Sequence, residues 1–559
     1  MAPGAIDSRA TAESDMATTI ARARTARFAV PILIAVAFAL RIFTYLRNPA
    51  MSNDEASLAL NLMHRSYGDV FGRLDFNQAA PPGFLVLQKL VIDAFGASPY
   101  SLRLIPLLAS LAACLLFYSI VARVACRWAA LAALALFAIS GPLVSYAATN
   151  KQYSIDVAIV LALYTITLWS WNQPGGQRAI LLASAGVIAA FASHAAVFVL
   201  AAVWAALVLE NLRTQKWRDL AILIGLAAVW LGSIAVAFLL TRRSIEQIQQ
   251  SAAVGWGPPD LAVRTVGGIA RYLLGIPAFA TPIRGGITLI AFVLSLVGMW
   301  YVAKRSFRLL FLLVAPALIA GGAVWIGQYP NYPRSFLFVL PSMLILITLG
   351  ASSLARRPHQ TFMRVGAGAA IVLLLIIGLW RTQDDLTSRE LTQPTRILTY
   401  LAEHTRPGDS LYVARTAQPT FRYYLECGCF SNKSIVARVR NAWTVRPTRG
   451  YGQFDAALES SPPFLIAGKA TEFSKSEHLR EFSRLMGRGR VWILLLGERP
   501  SEMHVIRHFL DRRGGLLDDF PKRNPQSHAR LFLYALGLKD CASREDAGDS
   551  KSTSRDRCE

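Results

Sequence analysis

The sequence predicts an α-helical membrane protein with about eleven spans, followed by a small α/β domain outside the membrane. Hydrophobic residues make up 54% of the 559 residues and charged residues only 17%, against about 25% in an average soluble domain. Eleven mostly apolar runs reach or approach the roughly 20 residues that a spanning helix needs. These runs are 28–46, 101–122, 128–147, 155–171, 179–193, 195–210, 219–240, 285–302, 308–327, 335–353 and 365–380.

The net charge of +23 indicates basic loops and not a nucleic-acid-binding surface. A nucleic-acid binder would lack the long apolar runs, and a disordered chain would lack the aliphatic residues that fill them. Because cytoplasmic loops are enriched in Lys and Arg, we place the polar segment 1–27 in the cytoplasm as a disordered N-terminus. The short loops on the same side all carry basic residues: 123–127, 172–178, 211–218, 303–308 and 354–364. Eleven spans then put the C-terminal region on the outer, periplasmic side.

Residues 28–381 form the predicted transmembrane domain, and its first outer loop is 47–100. Within that loop, the apolar residues of 53–71 predict an amphipathic helix lying on the membrane surface. The apolar stretch 84–95 is too short to span and predicts an interfacial or re-entrant helix. The fifth and sixth apolar runs meet at Ser193-His194, so they form either two short spans or one long helix.

The last part of the chain changes character, and 382–540 predicts a small α/β domain with a disordered tail at 541–559. Short buried strands alternate there with helical patterns, which is typical of α/β folds. The predicted strands are Ser410–Ala414, Phe464–Ala467, Val491–Leu496 and Leu531–Tyr534, and the predicted helices are Pro394–His404, Thr420–Glu426, Ser476–Met486 and Glu502–Asp511.

Four of the six cysteines fall in this C-terminal domain, where disulfides persist if the domain lies outside the cytoplasm. They are Cys427, Cys429, Cys541 and Cys558. The sequence leaves their pairing open, and a bridge from Cys427 or Cys429 to Cys541 is one possibility.

Known short motifs give few positive indications. No H-E-x-x-H or C-x-x-C spacing indicates a metal site, although carboxylates and a histidine brought together by the fold could still hold a divalent ion. The sequence also has no P-loop, no Rossmann glycine pattern and no G-x-S-x-G. ATP-driven transport and serine hydrolase chemistry therefore have no support.

Acidic residues are rare in the membrane half, and their positions give the first functional indication. Only 13 of the 35 acids lie in the first 381 residues, and five of these fall within 54–93. The pair Asp54-Glu55 directly follows the first span. One carboxylate could act as a general base towards an acceptor hydroxyl, while the other orients a partner or a metal. The alternative is a helix-capping pair, because acids favour the first turn of a helix.

Two further segments carry polar residues at the outer ends of spans. In 150–156, Lys151 and Tyr153 could hold a phosphate and a sugar, and Asp156 lies just inside an apolar run, where an ionisable group suggests function. An interfacial Lys–Tyr anchor is the alternative. In 329–334, Arg334 is disfavoured on the outer side unless it pairs with an anion such as phosphate, and Tyr332 also fits an aromatic belt.

Two single residues are weaker candidates for the same site. Arg103 begins the second span in the way that Arg334 begins the tenth. His194 lies between the fifth and sixth apolar runs, and a lone histidine near an interface is more often structural than a ligand.

Three sequence segments together resemble a known family. They are Asn53-Asp54-Glu55-Ala56 after the first span, Ala80-Pro81-Pro82-Gly83 in the outer loop, and Arg103-Leu104-Ile105-Pro106 opening the second span. The arrangement resembles the polyprenyl-phosphate-sugar-dependent glycosyltransferases of the GT-C fold. The nearest groups are the protein O-mannosyltransferases, the aminoarabinose transferases and the bacterial lipopolysaccharide-core glycosyltransferases. The segments around Lys151, His194 and Arg334 resemble the bacterial branch.

The resemblance implies a bacterial inner-membrane enzyme whose catalytic loop is 47–100. Its donor would be a polyprenyl-phosphate sugar, and its acceptor an envelope lipid, glycan or protein. Asp54 would be the base, with Glu55 supporting it, and Lys151 and Arg334 would hold the departing lipid phosphate. Many relatives carry a charged residue or histidine directly before Pro-Pro, where this chain has Ala79-Ala80. The substrate therefore does not follow from the resemblance.

Two other classes of function compete with this one. A transporter or flippase of a lipid-linked envelope intermediate would use a similar cavity, but such proteins often consist of repeated halves, and no repeat is visible. A membrane scaffold without catalytic activity would leave the acid cluster unexplained.

Overall fold

In a computed structural model, the chain folds into a set of long apolar helices followed by a domain built on a five-stranded sheet. The structure describes residues 28–171, 173, 175–215, 217–250, 262–276, 281–356, 361–388, 394–429, 437, 439, 465–467, 482, 485–496, 500–520 and 529–536. The predicted disordered ends, 1–27 and 541–559, lie outside these residues, as does most of the predicted helix Ser476–Met486.

The helices that precede the C-terminal domain are listed here in chain order. They are α1 (Phe28–Leu46), α2 (Asn53–His64), α3 (Pro82–Phe95), α4 (Pro99–Val124), α5 (Arg127–Ala138), α6 (Gly141–Ala147), α7 (Tyr153–Ser170), α8 (Gly175–Ala192), α9 (Ala196–Arg213), α10 (Trp217–Gln250), α11 (Ala262–Leu273), α12 (Thr281–Ala303), α13 (Phe307–Trp325), α14 (Leu340–Ala355) and α15 (Thr361–Ser388). Short 3-10 turns lie at Asp69–Phe71 and Pro333–Val339.

The eleven predicted spans are confirmed within the described part of the chain. Ten segments are long and apolar enough to cross a membrane, and there are eleven if the bent pair α5–α6 is counted as one span. The fifth and sixth apolar runs are two helices, α8 and α9, which are separated at Ser193–Ala195, so the alternative of one long helix is wrong.

The chain divides into two compact units. The first contains the described residues of Met1–Arg47, Arg103–Phe238 and Gly255–Asp385. The second contains those of Asn48–Leu102, Leu239–Val254 and Leu386–Glu559. The loop after the first span and the C-terminal domain thus belong to the same unit.

In the first unit, α12 and α14 approach each other closely at two glycines. A β-carbon added at Gly298 would overlap the backbone oxygen of Leu346, and one added at Gly350 would overlap that of Leu294. Small residues allow membrane helices to pack with their backbones close together, which is a main source of helix association where lipid replaces water. The two glycines therefore determine how closely these spans pack.

We expect Gly298→Val to lower the free energy of unfolding by about 3 kcal/mol or more, the upper range for overpacking, because the obstacle is backbone and not a flexible side chain. The measurement is thermal unfolding of the purified protein in lipid nanodiscs. Gly286→Val is the matched control on the same helix, since a β-carbon at Gly286 meets open space. Equal melting temperatures for the two variants would contradict the close crossing.

The third span is broken between α5 and α6, whose axes differ by 52°. The last carbonyl oxygens of α5 accept hydrogen bonds from two other spans. Arg41 donates from Nη1 to the oxygen of Ala138 (3.1 Å) and from Nη2 to that of Phe137 (3.2 Å). Thr382 donates from Oγ1 to the oxygen of Ile139 (2.6 Å). These bonds replace the helical ones lost at the break, and a cation suits a helix C-terminus.

In the second unit, α2 is buried on all sides, so the expectation of an amphipathic helix with one exposed face is wrong. All eight residues from Glu55 to Leu62 are buried. The helix ends at His64, and Tyr67, expected to continue its apolar face, is exposed beyond it. Burial arises because α17 (Gln418–Glu426) of the C-terminal domain and α3 both pack against α2. Sequence spacing alone does not reveal such coverage.

The C-terminal domain is a mixed sheet with helices, and the predicted small α/β domain is confirmed. Its helices are α16 (Pro394–His404), α17 and α18 (Pro500–Asp511), and its strands are β1 (Ser410–Val413), β2 (Leu465–Ala467), β3 (Gly489–Leu496), β4 (Gly514–Phe520) and β5 (Ala529–Leu536). The strand order is β2-β1-β3-β5-β4. The pairs of β1 with β2 and β3 are parallel, and those of β5 with β3 and β4 are antiparallel. The edge strand β4 was not predicted.

A disulfide joins Cys427 to Cys429, directly after α17. The suggested bridge from one of them to Cys541 is therefore wrong. Only one residue lies between the two cysteines, yet their Cα atoms are 5.1 Å apart, which is a normal separation for a disulfide. Gly428 between them has φ +63°, a conformation that favours glycine.

Candidate functional site

Acids of the outer loop other than Asp54 and Glu55 have partners that suit a structural role. Asp75 pairs with Arg65 (3.0 Å) and Asp93 with Lys89 (2.9 Å). Asp69 accepts a hydrogen bond from a nearby serine hydroxyl (2.8 Å). These bonds, together with a capping role for Glu55, account for most of the clustering of acids that the sequence shows.

Glu55 belongs to a capping box at the start of α2. Its Oε2 accepts hydrogen bonds from the backbone N–H and the hydroxyl of Ser52 (3.0 Å each), and its own N–H donates to the Ser52 hydroxyl (3.3 Å). The helix-capping alternative therefore describes Glu55. Asp54 lies beside it in the first turn of α2, where its side chain is half-buried.

In the first unit, the start of α7 carries a buried polar group. Asp156 is 6% exposed, and its Oδ1 accepts a hydrogen bond from the hydroxyl of Ser193 (2.6 Å) in the turn between α8 and α9. Burial raises the pKa of Tyr329 well above its ordinary value, and the nearby Asp156 and Tyr153 raise it further. Residues that are far apart in sequence thus meet at Asp156.

Arg334 lies among several tyrosines at this site. Its guanidinium carbon is 5.0 Å from the centre of the Tyr332 ring, and its charge also acts on Tyr146. The ring of Tyr146 is 4.9 Å from that of Tyr153, and its hydroxyl is 2.9 Å from the hydroxyl of Tyr272. Sequence analysis missed Tyr146 and Tyr272. Tyr146 lies in α6, directly after the break in the third span, and Tyr272 lies in α11.

We define the polar cluster by residues that the structure connects in this way: Tyr146, Tyr153, Asp156, Ser193, Tyr272, Tyr329, Tyr332 and Arg334. Three neighbours of these residues in sequence have a buried polar side-chain atom without a protein hydrogen-bond partner: Gln152 (Oε1), His194 (Nε2) and Asn331 (Oδ1). Buried polar atoms are normally hydrogen-bonded, so such a concentration is typical of a binding site.

His194 contributes a neutral ring. Burial lowers the pKa of His194 to about 4, so the imidazole is uncharged near pH 7. A neutral imidazole can accept or donate a hydrogen bond but does not supply a positive charge for an anion. His194 therefore serves a hydroxyl or a phenol better than a phosphate.

Lys151 and Arg103 are both buried cations of the first unit. Lys151 is 9% exposed and lies two residues before α7, whose first turn carries Tyr153 and Asp156. Arg103 is 1% exposed, near the start of α4. Burial of two cations in a largely apolar unit is costly unless anionic or polar groups compensate for it.

The described residues contain no group of three or more His, Cys, Asp or Glu side chains that could hold a metal ion. The arginine and the phenols of the polar cluster, together with the neighbouring amides of Gln152 and Asn331, are suited to an anionic ligand that carries hydroxyl groups.

The whole chain has few recognisable relatives. No protein-family model matches it, and neither does any curated protein. Two similar solved structures are of ArnT from Cupriavidus metallidurans. The one bound to undecaprenyl phosphate is 13% identical and has a TM-score of 0.47, and the match covers 90% of this chain and 97% of that chain. The apo state is 12% identical, with the same TM-score and coverage. These neighbours are glycosyltransferases of the GT-C fold, the fold that the sequence motifs resemble.

Proposed function

We propose that this protein is an integral membrane glycosyltransferase. It transfers a sugar from a polyprenyl-phosphate donor to an acceptor on the membrane side opposite the basic loops. The observation that carries the proposal is the polar cluster itself. An arginine, a buried carboxylate and five tyrosines gather at one place among helices that are otherwise apolar. Ionisable groups in such surroundings mark ligand sites.

In this reaction the oxygen or amine of the acceptor attacks the anomeric carbon of the donor sugar. The bond from that carbon to the phosphate oxygen breaks, and polyprenyl phosphate leaves with the electron pair. The proton of the acceptor passes to the carboxylate of Asp54. The sugar–phosphate bond supplies the driving force, so the reaction needs no nucleotide.

The buried cation Lys151 and the half-buried cation Arg334 are assigned to the phosphate. Negative charge develops there as the lipid phosphate leaves, and fixed cations in a site without much water stabilise it strongly. Arg334 presents a planar fork of donors that fits two phosphate oxygens. The tyrosines of the cluster and the neutral ring of His194 are assigned to the sugar hydroxyls.

The test of the function is an assay of the purified full chain in lipid nanodiscs with a panel of undecaprenyl-phosphate sugars, with and without a chelator. Undecaprenyl phosphate is chosen because it occupies one of the similar solved structures. We expect release of undecaprenyl phosphate together with a glycosylated envelope lipid, glycan or protein from a membrane extract. Movement of the intact donor across the bilayer without release of its sugar would favour a flippase instead.

Lys151→Ala and Arg334→Ala are each expected to raise the KM for the donor about 10- to 100-fold. Each removes charged hydrogen bonds, which contribute about 1.5–3 kcal/mol. The measurement is initial rate against donor concentration. Arg356→Ala is the matched control, because Arg356 is an exposed cation of the same unit that also contacts a tyrosine, Tyr301 (3.2 Å). An unchanged KM in both test variants would refute the assignment to the phosphate.

A further inference from the structure

One helix of the C-terminal domain, α17, contacts the outer loop in the second unit through several side chains. The hydroxyl of Tyr424 accepts a hydrogen bond from the backbone N–H of Met51 (3.1 Å). Glu426 Oε2 lies 2.6 Å from His64 Nε2. The hydroxyl of Tyr423 donates to the backbone oxygen of Ala97 (2.8 Å), beyond the end of α3.

The first two of these contacts lie at opposite ends of α2. Met51 directly precedes Ser52, the N-cap of the helix, and His64 is its last residue. Asp54 is in the first turn between them. Because α17 holds α2 at both ends, its position determines where the Asp54 carboxylate lies within the second unit.

Glu426 is ionised in this arrangement. Burial alone would raise its pKa, but the hydrogen bond with His64 and the positive charge of Arg422 outweigh burial and lower it. The Arg422 side chain is 2% exposed, and its Nε lies 3.4 Å from Glu426 Oε1. Glu426 thus forms an ion pair with Arg422 of its own helix and a hydrogen bond with His64 at the end of α2.

We propose that Glu426 is a positioning residue, which holds α2 from the C-terminal domain so that Asp54 is correctly placed for proton abstraction. This inference rests on the proposed function only for its effect on the reaction rate. The coupling of Glu426 to α2 is a separate claim and has its own measurement.

The test compares Glu426→Gln with Asp409→Asn in the full chain. Asp409 is a matched control in the same unit, because it is also a buried acid with an arginine partner. It binds Arg490 (2.7 Å) and Trp492 (2.9 Å), both in β3. Both substitutions remove one negative charge while keeping the shape of the side chain.

For Glu426→Gln we expect kcat to fall about 10- to 100-fold with the KM of donor and acceptor nearly unchanged, since a displacement of about 1 Å at a reacting group costs that much. Asp409→Asn should lower the melting temperature but keep the kcat of the folded protein. His64→Gln should reproduce the effect of Glu426→Gln, and the double variant should add little, because both break the same contact. A kcat that falls equally in Glu426→Gln and Asp409→Asn would overturn the proposal.

Amide hydrogen exchange of 53–64 distinguishes a failure of this inference from a failure of the proposed function. We expect faster exchange in Glu426→Gln than in the wild type or in Asp409→Asn, whether or not the protein transfers a sugar. Unchanged exchange of α2 would overturn the positioning role. An inactive wild type with the expected exchange pattern would refute the glycosyltransferase assignment alone.

Discussion

Asp54→Asn is expected to reduce sugar transfer by about 10²- to 10⁴-fold while the protein stays folded. This is the usual contribution of a general base, and asparagine cannot accept the acceptor's proton at neutral pH. The substitution keeps the shape of the side chain. The Ser52–Glu55 capping box remains intact, so the start of α2 should keep its structure. The measurement combines initial rates at saturating donor with the melting temperature.

Asp93→Asn is the matched control for this prediction. Asp93 belongs to the same outer loop, but it pairs with Lys89 on its own helix, and its side chain is 44% exposed. Its substitution should leave the rate within about twofold of the wild type, because exposed pairs contribute little. If Asp54→Asn keeps a rate comparable to that of Asp93→Asn, Asp54 is not the base.

The spans could be predicted from the sequence because the thickness of the membrane dictates them. About 20 apolar residues are required whatever the neighbours are, so the pattern is local. The state of α2 depends on distant residues instead. Its polar and apolar positions fit a helix at the membrane surface, yet α17, more than 350 residues later, covers it. The strand β4 was missed because Gly514-Gly515 and Asp518-Asp519 read as a turn, and its pairing with β5 outweighs that weak propensity.

The members of the polar cluster could be predicted only in part, for a similar reason. Tyr153, Asp156 and Arg334 were found because each stands at the start of a span with a polar group that the surroundings disfavour. Tyr146 and Tyr272 look like ordinary interfacial tyrosines in the sequence, and only the fold brings their hydroxyls together. Arg41 was also missed. A charged residue inside the first apolar run is itself an indication of a special role.

Arg41→Leu is expected to lower the free energy of unfolding by about 2–4 kcal/mol. Arg41 is fully buried and donates to the oxygens of Phe137 and Ala138 and to the hydroxyl of Ser110 (2.9 Å). Leucine leaves two carbonyl groups at the end of α5 without a donor, and each such group costs about 1–3 kcal/mol. Thermal unfolding in nanodiscs measures the loss, and Arg47→Leu, at the half-buried end of the same span, is the control.

The native Cys114 reports the local effect of Arg41→Leu. Its thiol is buried and bonds the backbone oxygen of Ser110, next to the Arg41 contact. Labelling of Cys114 by a membrane-permeant maleimide, located by peptide mass spectrometry, should therefore be faster in Arg41→Leu than in Arg47→Leu. A thiol that stays equally protected, together with an unchanged melting temperature, would show that the break in the third span does not depend on Arg41.

The break also links the stability of the bundle to the polar cluster. The helix after the break, α6, carries Tyr146, whose ring and hydroxyl contact Tyr153 and Tyr272. If Arg41 holds the end of α5, its loss should move α6 and raise the KM for the donor, even though Arg41 lies outside the polar cluster. Thr382→Val, which removes the bond to Ile139 directly after α5, should have the same effect in smaller measure. A straight helix would carry Tyr146 away from Tyr153 and Tyr272. The bend therefore brings its polar hydroxyl into the polar cluster.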